Sequence, residues 1–513
     1  MRGVAMKLIL AAALVVVCGL AAPVQAKPGN AENGEKIYEK RCLGCHGEEG
    51  DGLGPAAEYL IPPPRDFTLG LYKIKTTAFD DDIPNDDDLF RMIRDGMPGT
   101  AMPGWSDMLS EQEIWDLVAH LKIYAGLEEE TPSKQLDYGS QVATSEDSVE
   151  KGRKLFHDGD RCSECHGAEG KGDAIKKLKN DNGDRTWPRN LTKPWTYRAS
   201  SDPKDIYARI SVGIPNTQMP SFADPKSKKK LSVEERWHIA NYVVALTKKG
   251  LEVRPENTVV KAKRIDGEIP AAIDDQAWLQ SEPVTFMLVP QIIAKDRFFT
   301  PANDTISVRA LYNERDIAFL LEWDDRTKSI PGDAKAESIA DPEMGQDAVM
   351  MQFPVTIPLG AEKPYFLKGD AGHPVNLWHW TSGTTEAEAA VAMLDGLGMA
   401  QQTPREDGGG GLTTGSGYQD GTWRVIMKRS LTTDDAENDL QFEEGRFIPI
   451  AFANWDGSNS EIDSRQTITT WYWLQLEPSA SAEPYISGIV VALLVFGALV
   501  WWARGAARPG EAA

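Results

Sequence analysis

Two five-residue stretches hold the side chains best suited to chemistry: Cys42-Leu43-Gly44-Cys45-His46 and Cys162-Ser163-Glu164-Cys165-His166. Two thiols three positions apart can add to the two vinyl groups of one porphyrin. The histidine that follows at once then lies under the iron as proximal ligand. This is the C-x-x-C-H attachment signature of a c-type haem, and the alternatives at such spacing are a zinc site or a dithiol redox pair. Each motif is followed at a similar distance by Met-Pro, at Met102-Pro103 and Met219-Pro220, which favours the haem reading.

The elements around the motifs occur twice, over residues 30–128 and 148–250. Gly34-Glu35-Lys36-Ile37-Tyr38 matches Gly152-Arg153-Lys154-Leu155-Phe156, and both read as an amphipathic helix leading into the motif. Gly50-Asp51-Gly52 matches Gly170-Lys171-Gly172, where glycines let the backbone turn around a porphyrin edge. Further on, Asp95 to Trp105 aligns with Val212 to Phe222, setting Met97 against Ile214 and Met102 against Met219. Isoleucine cannot bind iron, so Met102 and Met219 are the expected distal ligands, and Met97 suits a core gap. Ser110 with Glu113, and Ser232 with Glu235, predict capping boxes that open a last helix in each repeat. Trp115, Leu117, Val118 and Leu121 mark the apolar face of the first, mirrored by Trp237, Ile239, Ala240 and Val243. His120, His157 and His238 have no motif around them and read as ordinary surface or core residues.

Taken together, these motifs resemble class I cytochrome c domains, twice over. The resemblance implies two small all-helical folds, each with one covalent haem between His46 and Met102, or His166 and Met219. It also implies a proline carbonyl against the proximal histidine and an arginine at a haem propionate. Pro64-Arg65 and Pro188-Arg189 stand where these belong, making Arg65 and Arg189 further candidates. Filling both axial positions leaves no open site for substrate, which argues for electron transfer and against peroxidase or oxygen chemistry.

The chain is 513 residues long, enough for about three domains. Its charge of -22, with 26% charged residues, argues against nucleic acid, whose phosphates demand a basic face. Residues 1–26 read as a secretory signal: Arg2 and Lys7, an apolar run from Leu8 to Leu20, then the small-residue pattern Val24-Gln25-Ala26. Cys18, inside that run, is a poor lipoprotein acceptor, and the four other cysteines all lie in the two motifs. Export to an oxidising compartment agrees with thioether attachment. Residues 485–503 form a charge-free apolar run with Tyr485 and Trp501-Trp502 at its ends and Arg504 and Arg508 beyond. This predicts one transmembrane helix, a cytoplasmic tail over 504–513, and haem domains in the periplasm of a bacterial cytoplasmic membrane.

Between the repeats, residues 129–147 read as a linker that lets two touching haem domains, 27–128 and 148–250, adjust their packing. Over residues 251–478 the pattern turns strand-like. Val284–Val289, Ile306–Tyr312, Ile317–Trp323, Ala348–Phe353, Trp423–Met427, Ile448–Phe452 and Thr467–Leu476 predict an all-β sandwich, with Asp407–Gly411 in a flexible loop. The expected architecture is thus multidomain: two all-α cytochrome c domains, an all-β sandwich, and one C-terminal transmembrane helix.

Ile265-Asp266-Gly267, the stretches Asp347–Pro354 and Gly369–Trp380, and Ala451–Gly457 resemble the haem-binding domain of the ethylbenzene dehydrogenase γ subunit. Related γ subunits serve dimethylsulfide dehydrogenase, selenate and chlorate reductases and nitrite oxidoreductases. The resemblance implies a b haem held between a methionine and a lysine, and a partnership with a molybdenum oxidoreductase through its iron–sulfur subunit. Here the expected methionine position reads Leu367-Lys368 and the expected lysine position Arg465-Gln466. Met351 and Lys368 are the candidate substitutes, with Met350, Lys428, His373 and His379 also at hand, so haem b is left open. No nucleophile–base motif, zinc spacing or phosphate loop stands out, so no catalytic residue is assigned. The sequence points to an anchored dihaem electron-transfer subunit that exchanges electrons with a soluble cytochrome c or the respiratory chain. The alternatives are a cytochrome whose β domain is a non-haem protein- or carbohydrate-binding module, or an enzyme working at one haem.

Overall fold

A computed structural model describes residues 29–506 apart from 61, 175, 182, 248–251, 255, 361, 386–388, 406–410 and 479–482. The expected signal, Cys18, most of the Asp407–Gly411 loop and the tail beyond residue 506 lie outside the described residues. The chain divides into two compact units, residues 1–249 with 297–300 and residues 250–296 with 301–513.

The first unit is helical and builds the same arrangement twice. Helices α1 (Ala31–Arg41), α2 (Leu43–His46), α3 (Asp86–Asp95) and α4 (Glu111–Tyr124) are followed by α5 (Glu146–His157), α6 (Ser163–His166), α7 (Pro203–Val212) and α8 (Val233–Ala245). The capping boxes form as the sequence suggests. Ser110 Oγ accepts from Glu113 N–H at 3.3 Å while Glu113 accepts from Ser110 N–H at 2.8 Å, and Ser232 and Glu235 repeat this at 3.2 and 2.8 Å. The first and last helices of each repeat cross where α1 and α5 carry a glycine. A Cβ on Gly34 would stand 2.1 Å from Asp116 O, and one on Gly152 would stand 2.0 Å from His238 O. Only glycine permits such an approach. Around these crossings Tyr38, Phe90, Ile114, Leu117 and Leu121 form one core, and Phe156, Tyr207, Ile210, Trp237 and Val243 the other.

The two repeats meet through side chains of α3 and α7. Arg91 pairs with Asp205 at 2.9 Å, and the Arg209 guanidinium donates to the carbonyls of Lys73, at 3.2 Å, and Lys75. The connecting segment, expected as a linker, is held to both repeats. Ser133 Oγ and Lys134 N–H donate to Asp81 Oδ2 at 2.9 and 2.7 Å, and Leu136 is buried. Tyr207 O–H and Trp237 Nε1 donate to the carbonyls of Asp137 and Tyr138, each at 2.8 Å.

Among the described residues the second unit holds a set of fourteen hydrogen-bonded strands. They are β1 (Val259–Arg264), β2 (Val284–Met287), β3 (Val289–Pro290), β4 (Thr305–Tyr312), β5 (Asp316–Asp324), β6 (Ala348–Pro354) and β7 (Val375–Thr381). Then follow β8 (Ala390–Gly396), β9 (Gln402–Pro404), β10 (Thr413–Gln419), β11 (Thr422–Ser430), β12 (Phe447–Trp455), β13 (Thr467–Ile468) and β14 (Tyr472–Leu476). Side by side they run β9-β8-β7-β6-β12-β14-β1-β4-β5-β11-β10, with β2 on β4 and β13 between β12 and β3. Strand β12 belongs to two layers: residues 447–450 pair with β14, residues 451–455 with β6. The layers face each other, so Met351, Phe353, Trp378 and Trp380 pack with Val308, Phe319, Leu321 and Trp423. On the outer face of β6 a smaller core gathers Met350, Leu367, Leu377, Ala453 and Trp455. The run expected as one strand over Thr467–Leu476 is split between β13, on residues 453–454 of β12, and β14, on residues 447–450 of β12. Val284–Val289 is split between β2, on β4, and β3, on β13. A short helix α9 (Ala334–Ile339) lies between β5 and β6, and α10 spans Glu483–Ala506. Its stretch Ser487–Arg504 has mean hydropathy 1.8 and none of it is buried, which makes it one candidate membrane span.

Candidate functional site

In each repeat the C-x-x-C-H motif forms a single helical turn at the end of the entry helix. Cys42, Cys45, Cys162 and Cys165 are half-buried and unpaired, with burial pushing the Cys42 and Cys162 thiols up to about 12. Both histidines are fixed the same way: His46 Nδ1 lies 3.0 Å from the Arg65 carbonyl, and His166 Nδ1 lies 3.0 Å from the Arg189 carbonyl. A protonated Nδ1 donating there leaves Nε2 as the free ligand atom and orients the ring. Burial holds both imidazoles below their ordinary pKa, favouring the neutral form that binds iron. The accepting carbonyl is thus the arginine's, one residue beyond the proline that was expected. The Pro64 and Pro188 carbonyls instead face Gly52 and Gly172, where a Cβ would stand at 2.8 and 2.4 Å.

The methionine loops mirror one another bond for bond. Thr100 Oγ1 donates to Met97 O at 2.7 Å and accepts from Met102 N–H at 3.2 Å; Thr217 does the same with Ile214 O, at 2.8 Å, and Met219 N–H, at 3.2 Å. Met97 N–H donates to Met102 O and Ile214 N–H to Met219 O, both at 3.1 Å. Met102 and Met219 therefore occupy one structural position, and Met97 and Ile214 another. Both threonines lay within the aligned stretches, and their equivalence was the signal that could have found them.

Phe67 stacks on the His46 ring at 4.5 Å, and Tyr72 stacks on Phe67 at 6.5 Å. The Tyr72 hydroxyl is buried without a partner, and the Arg65 charge acts on it. Arg65 is itself drawn down by burial. In the second repeat Trp195 Nε1 is likewise buried without a partner. Such orphaned donors suit the carboxylates of a haem, so the residues present fit a c haem in each repeat. Basic side chains of both repeats converge where they meet. Burial, then the Arg65 and Arg198 charges, lower Lys73 to about 8, and a Cβ on Gly99 in the first methionine loop would lie 3.5 Å from Arg189 Nη2.

Of the candidate b-haem ligands Met351 and Lys368 do not come together, whereas Met350 and Lys368 line the same pocket. Met351 is fully buried between the two layers, whereas Lys368 lies on the outer face of β6, because neighbouring strand residues point to opposite faces. Met350, Gln352, Phe366, Leu367, Lys368, Gln466 and Ile468 line one pocket there, of about 240 Å³. The two positions that the resemblance singles out, 367–368 and 465–466, thus do meet. Burial lowers Lys368 to about 8, and its ammonium lies 5.2 Å over the Trp455 ring. His379, on the same face, is lowered to about 4 by burial and then by the Lys368 charge. His373 pairs with Asp370 at 3.0 Å in the open, and Lys428 is on β11 in the other layer.

Comparison with known proteins gives this geometry its context. Residues 29–121 match the family described as cytochrome C oxidase, cbb3-type, subunit III, and residues 149–247 match cytochrome c. Residues 275–416 and 404–467 match the family described as ethylbenzene dehydrogenase. The chain joins two cytochrome c domains to an ethylbenzene dehydrogenase domain. A Haloferax mediterranei protein described as a respiratory nitrate reductase haem subunit is 25% identical over 48% of this chain and 83% of its own length. The γ subunit of dimethylsulfide dehydrogenase from Rhodovulum sulfidophilum is 26% identical over 45% of this chain and 86% of its own. The γ subunit of chlorate reductase from Ideonella dechloratans is 28% identical over 34% of this chain and 65% of its own. The cytochrome c domains make the chain a haem c electron-transfer protein. In the ethylbenzene dehydrogenase domain Met351 and Lys368 face opposite sides of β6, so that pair does not hold one b haem.

Proposed function

We infer that this chain is a membrane-anchored dihaem cytochrome subunit. It passes electrons between a periplasmic molybdenum oxidoreductase, through that enzyme's iron–sulfur subunit, and a soluble cytochrome or the respiratory chain. The observation that supports this reading is a matched set of bonds in the two repeats: a histidine fixed through Nδ1 to an arginine carbonyl, and a methionine loop held by a threonine hydroxyl. In this reading Cys42 and Cys45, and Cys162 and Cys165, tether the haems. His46 and Met102 would hold one haem iron and His166 and Met219 the other, and Arg65 and Arg189 would pair with propionates. Each c haem supplies a one-electron iron couple. A haem held by both a histidine and a methionine of the chain would have no position for substrate, which supports a conducting subunit. The convergence of Lys73, Arg198 and Arg189 between the repeats favours a direct path from one haem to the other.

The partner is proposed from the relatives, whose names are those of haem or γ subunits of reductases and a dehydrogenase. The anchor is proposed from α10, which presents an apolar surface along its length. Within this reading the ethylbenzene dehydrogenase domain docks the partner, and no electron step runs through a b haem. The test is purification of the tagged full chain from detergent-solubilised membranes of its native cell. Molybdenum and non-haem iron in stoichiometric proportion to haem are expected. Recovery of the chain in the soluble fraction, or from membranes without either metal, would overturn the assignment.

A further inference from the structure

At one end of the two-layer domain, away from the pocket face of β6, three aspartates converge in the interior. Asp325 follows β5, Asp347 precedes β6 and Asp456 follows β12, and a carboxylate oxygen from each lies within 4.8 Å of the others. None is more than 3% exposed. Two of the three acids sit in stretches that the sequence had singled out, Asp347–Pro354 and Ala451–Gly457, without any use for them. The protein satisfies Asp347 fully: Oδ2 accepts from Ser329 N–H at 2.8 Å and Trp423 Nε1 at 2.9 Å, and Oδ1 accepts from Gly457 N–H at 2.9 Å. Asp456 Oδ1 accepts from Ser458 Oγ and Asn459 N–H, at 2.7 and 3.1 Å. Asp325 Oδ1 accepts from Thr327 N–H at 3.3 Å.

The remaining oxygens have nothing. Asp325 Oδ2 and Asp456 Oδ2 are buried without a partner. So are the hydroxyls of Thr327 and Ser329, two side chains no more than 1% exposed, whose own backbone N–H groups bond to the cluster. Buried polar atoms almost always find partners, and a dry cluster of like charges is costly unless an opposite charge is held inside it. Arg326 opposes the mutual repulsion at Asp325 more weakly than either neighbouring aspartate adds to it. Four orphaned oxygens beside three carboxylates ask for one positive group that accepts several lone pairs at once. A proton serves one oxygen. A hard metal ion serves all of them.

We propose that Asp325, Asp347 and Asp456, with the Thr327 and Ser329 hydroxyls, bind one calcium ion that ties the β5–β6 connection to the end of β12. An oxygen-only donor set excludes the softer metals that prefer imidazole or thiolate. Calcium takes six to eight oxygens in flexible arrangements, whereas magnesium keeps several of its waters, for which a fully buried cage has no room. The site belongs to the second unit and needs no role in electron transfer.

The test uses the full-length, haem-loaded protein, purified without chelator. Elemental analysis is expected to find one calcium per chain besides the haem iron. EGTA is expected to lower the melting temperature of the β domain, with recovery on adding calcium chloride but not magnesium chloride at the same concentration. Ser329→Ala keeps the carboxylates and is expected to weaken calcium binding by at least about tenfold, the size typical of losing one supporting oxygen. Asp347→Asn is expected to abolish it; if that variant does not fold, Ser329→Ala decides. Calcium below a tenth of an equivalent together with indifference to EGTA would overturn the proposal. So would one calcium per chain bound with unchanged affinity by Ser329→Ala.

Discussion

Replacing Thr100 with valine tests how Met102, the proposed ligand of the first haem, is held. The substitution keeps the shape of the side chain and deletes one hydroxyl. In this structure that hydroxyl donates to Met97 O at 2.7 Å and accepts from Met102 N–H at 3.2 Å. At about 0.5–1.5 kcal/mol net for each bond, the loop loses ~1–3 kcal/mol of its hold on the position from which Met102 reaches iron. Since 1.4 kcal/mol is a factor of ten, an added ligand that displaces the methionine should bind about 5–150-fold more tightly. The assay is an imidazole titration of the oxidised protein followed by its visible absorption, with the second haem as internal reference. Thr100→Ser restores the hydroxyl and should titrate like the parent. If the valine variant also superimposes on the parent, Thr100 does not position Met102 and the account of the loop is wrong.

Other consequences can be checked as directly. Gly34→Ala should destabilise the holoprotein in guanidinium titrations by at least ~1–3 kcal/mol, because the new methyl would stand 2.1 Å from Asp116 O and force the helices apart. Helix propensity alone would make the same change stabilising, so the sign decides. Arg209→Ala should loosen the junction between the cytochrome domains, since its guanidinium holds the Lys73 and Lys75 carbonyls; faster proteolytic cleavage within residues 129–147 is the readout, and unchanged cleavage counts against the strap. Lys368→Met should stabilise the β domain at neutral pH by about 3 kcal/mol, since burial lowers this lysine from 10.5 to about 8. The unfolded chain binds the extra proton between those two pH values, so the parent gains stability as pH rises from 8 to 10.5 and the gap between the proteins closes. A gap that stays constant over that window would show that Lys368 is not the titrating group.

The cytochrome c domains were legible because haem attachment demands fixed residue types at fixed spacing, and because the repeat supplied an internal comparison. Setting Met97 against Ile214 separated two methionines that composition alone could not. What the sequence concealed lies mostly in the backbone. Nothing in Pro64-Arg65 tells which carbonyl turns to His46; that depends on the tight approach of Gly52 to Pro64 O. The segment 129–147 looks polar and aperiodic, yet it is tied by backbone groups bonding to Asp81, Tyr207 and Trp237, which lie far from it in sequence. Strands β1, β7, β8, β9 and β10 were missed for two reasons. Thr413–Gln419 is rich in threonine and glycine and reads as turn, and β1 owes its place to parallel partners, β4 and β14, distant in the chain. The two adjacent methionines of β6 could not be told apart before its inner face was known. Met351 belongs to the inter-layer core and Met350 to the pocket beside Lys368. The aspartate cluster was invisible for the same reason, as its members stand at three separate strand ends.

The central claim is a wire of two covalent haems in the cytochrome domains with none in the β domain. A pyridine haemochrome spectrum, with haem counted per chain on full-length protein matured by a cytochrome c assembly system, tests it most directly. The account predicts two c haems and no b haem. One c haem, or two c haems accompanied by a stoichiometric b haem, would contradict it.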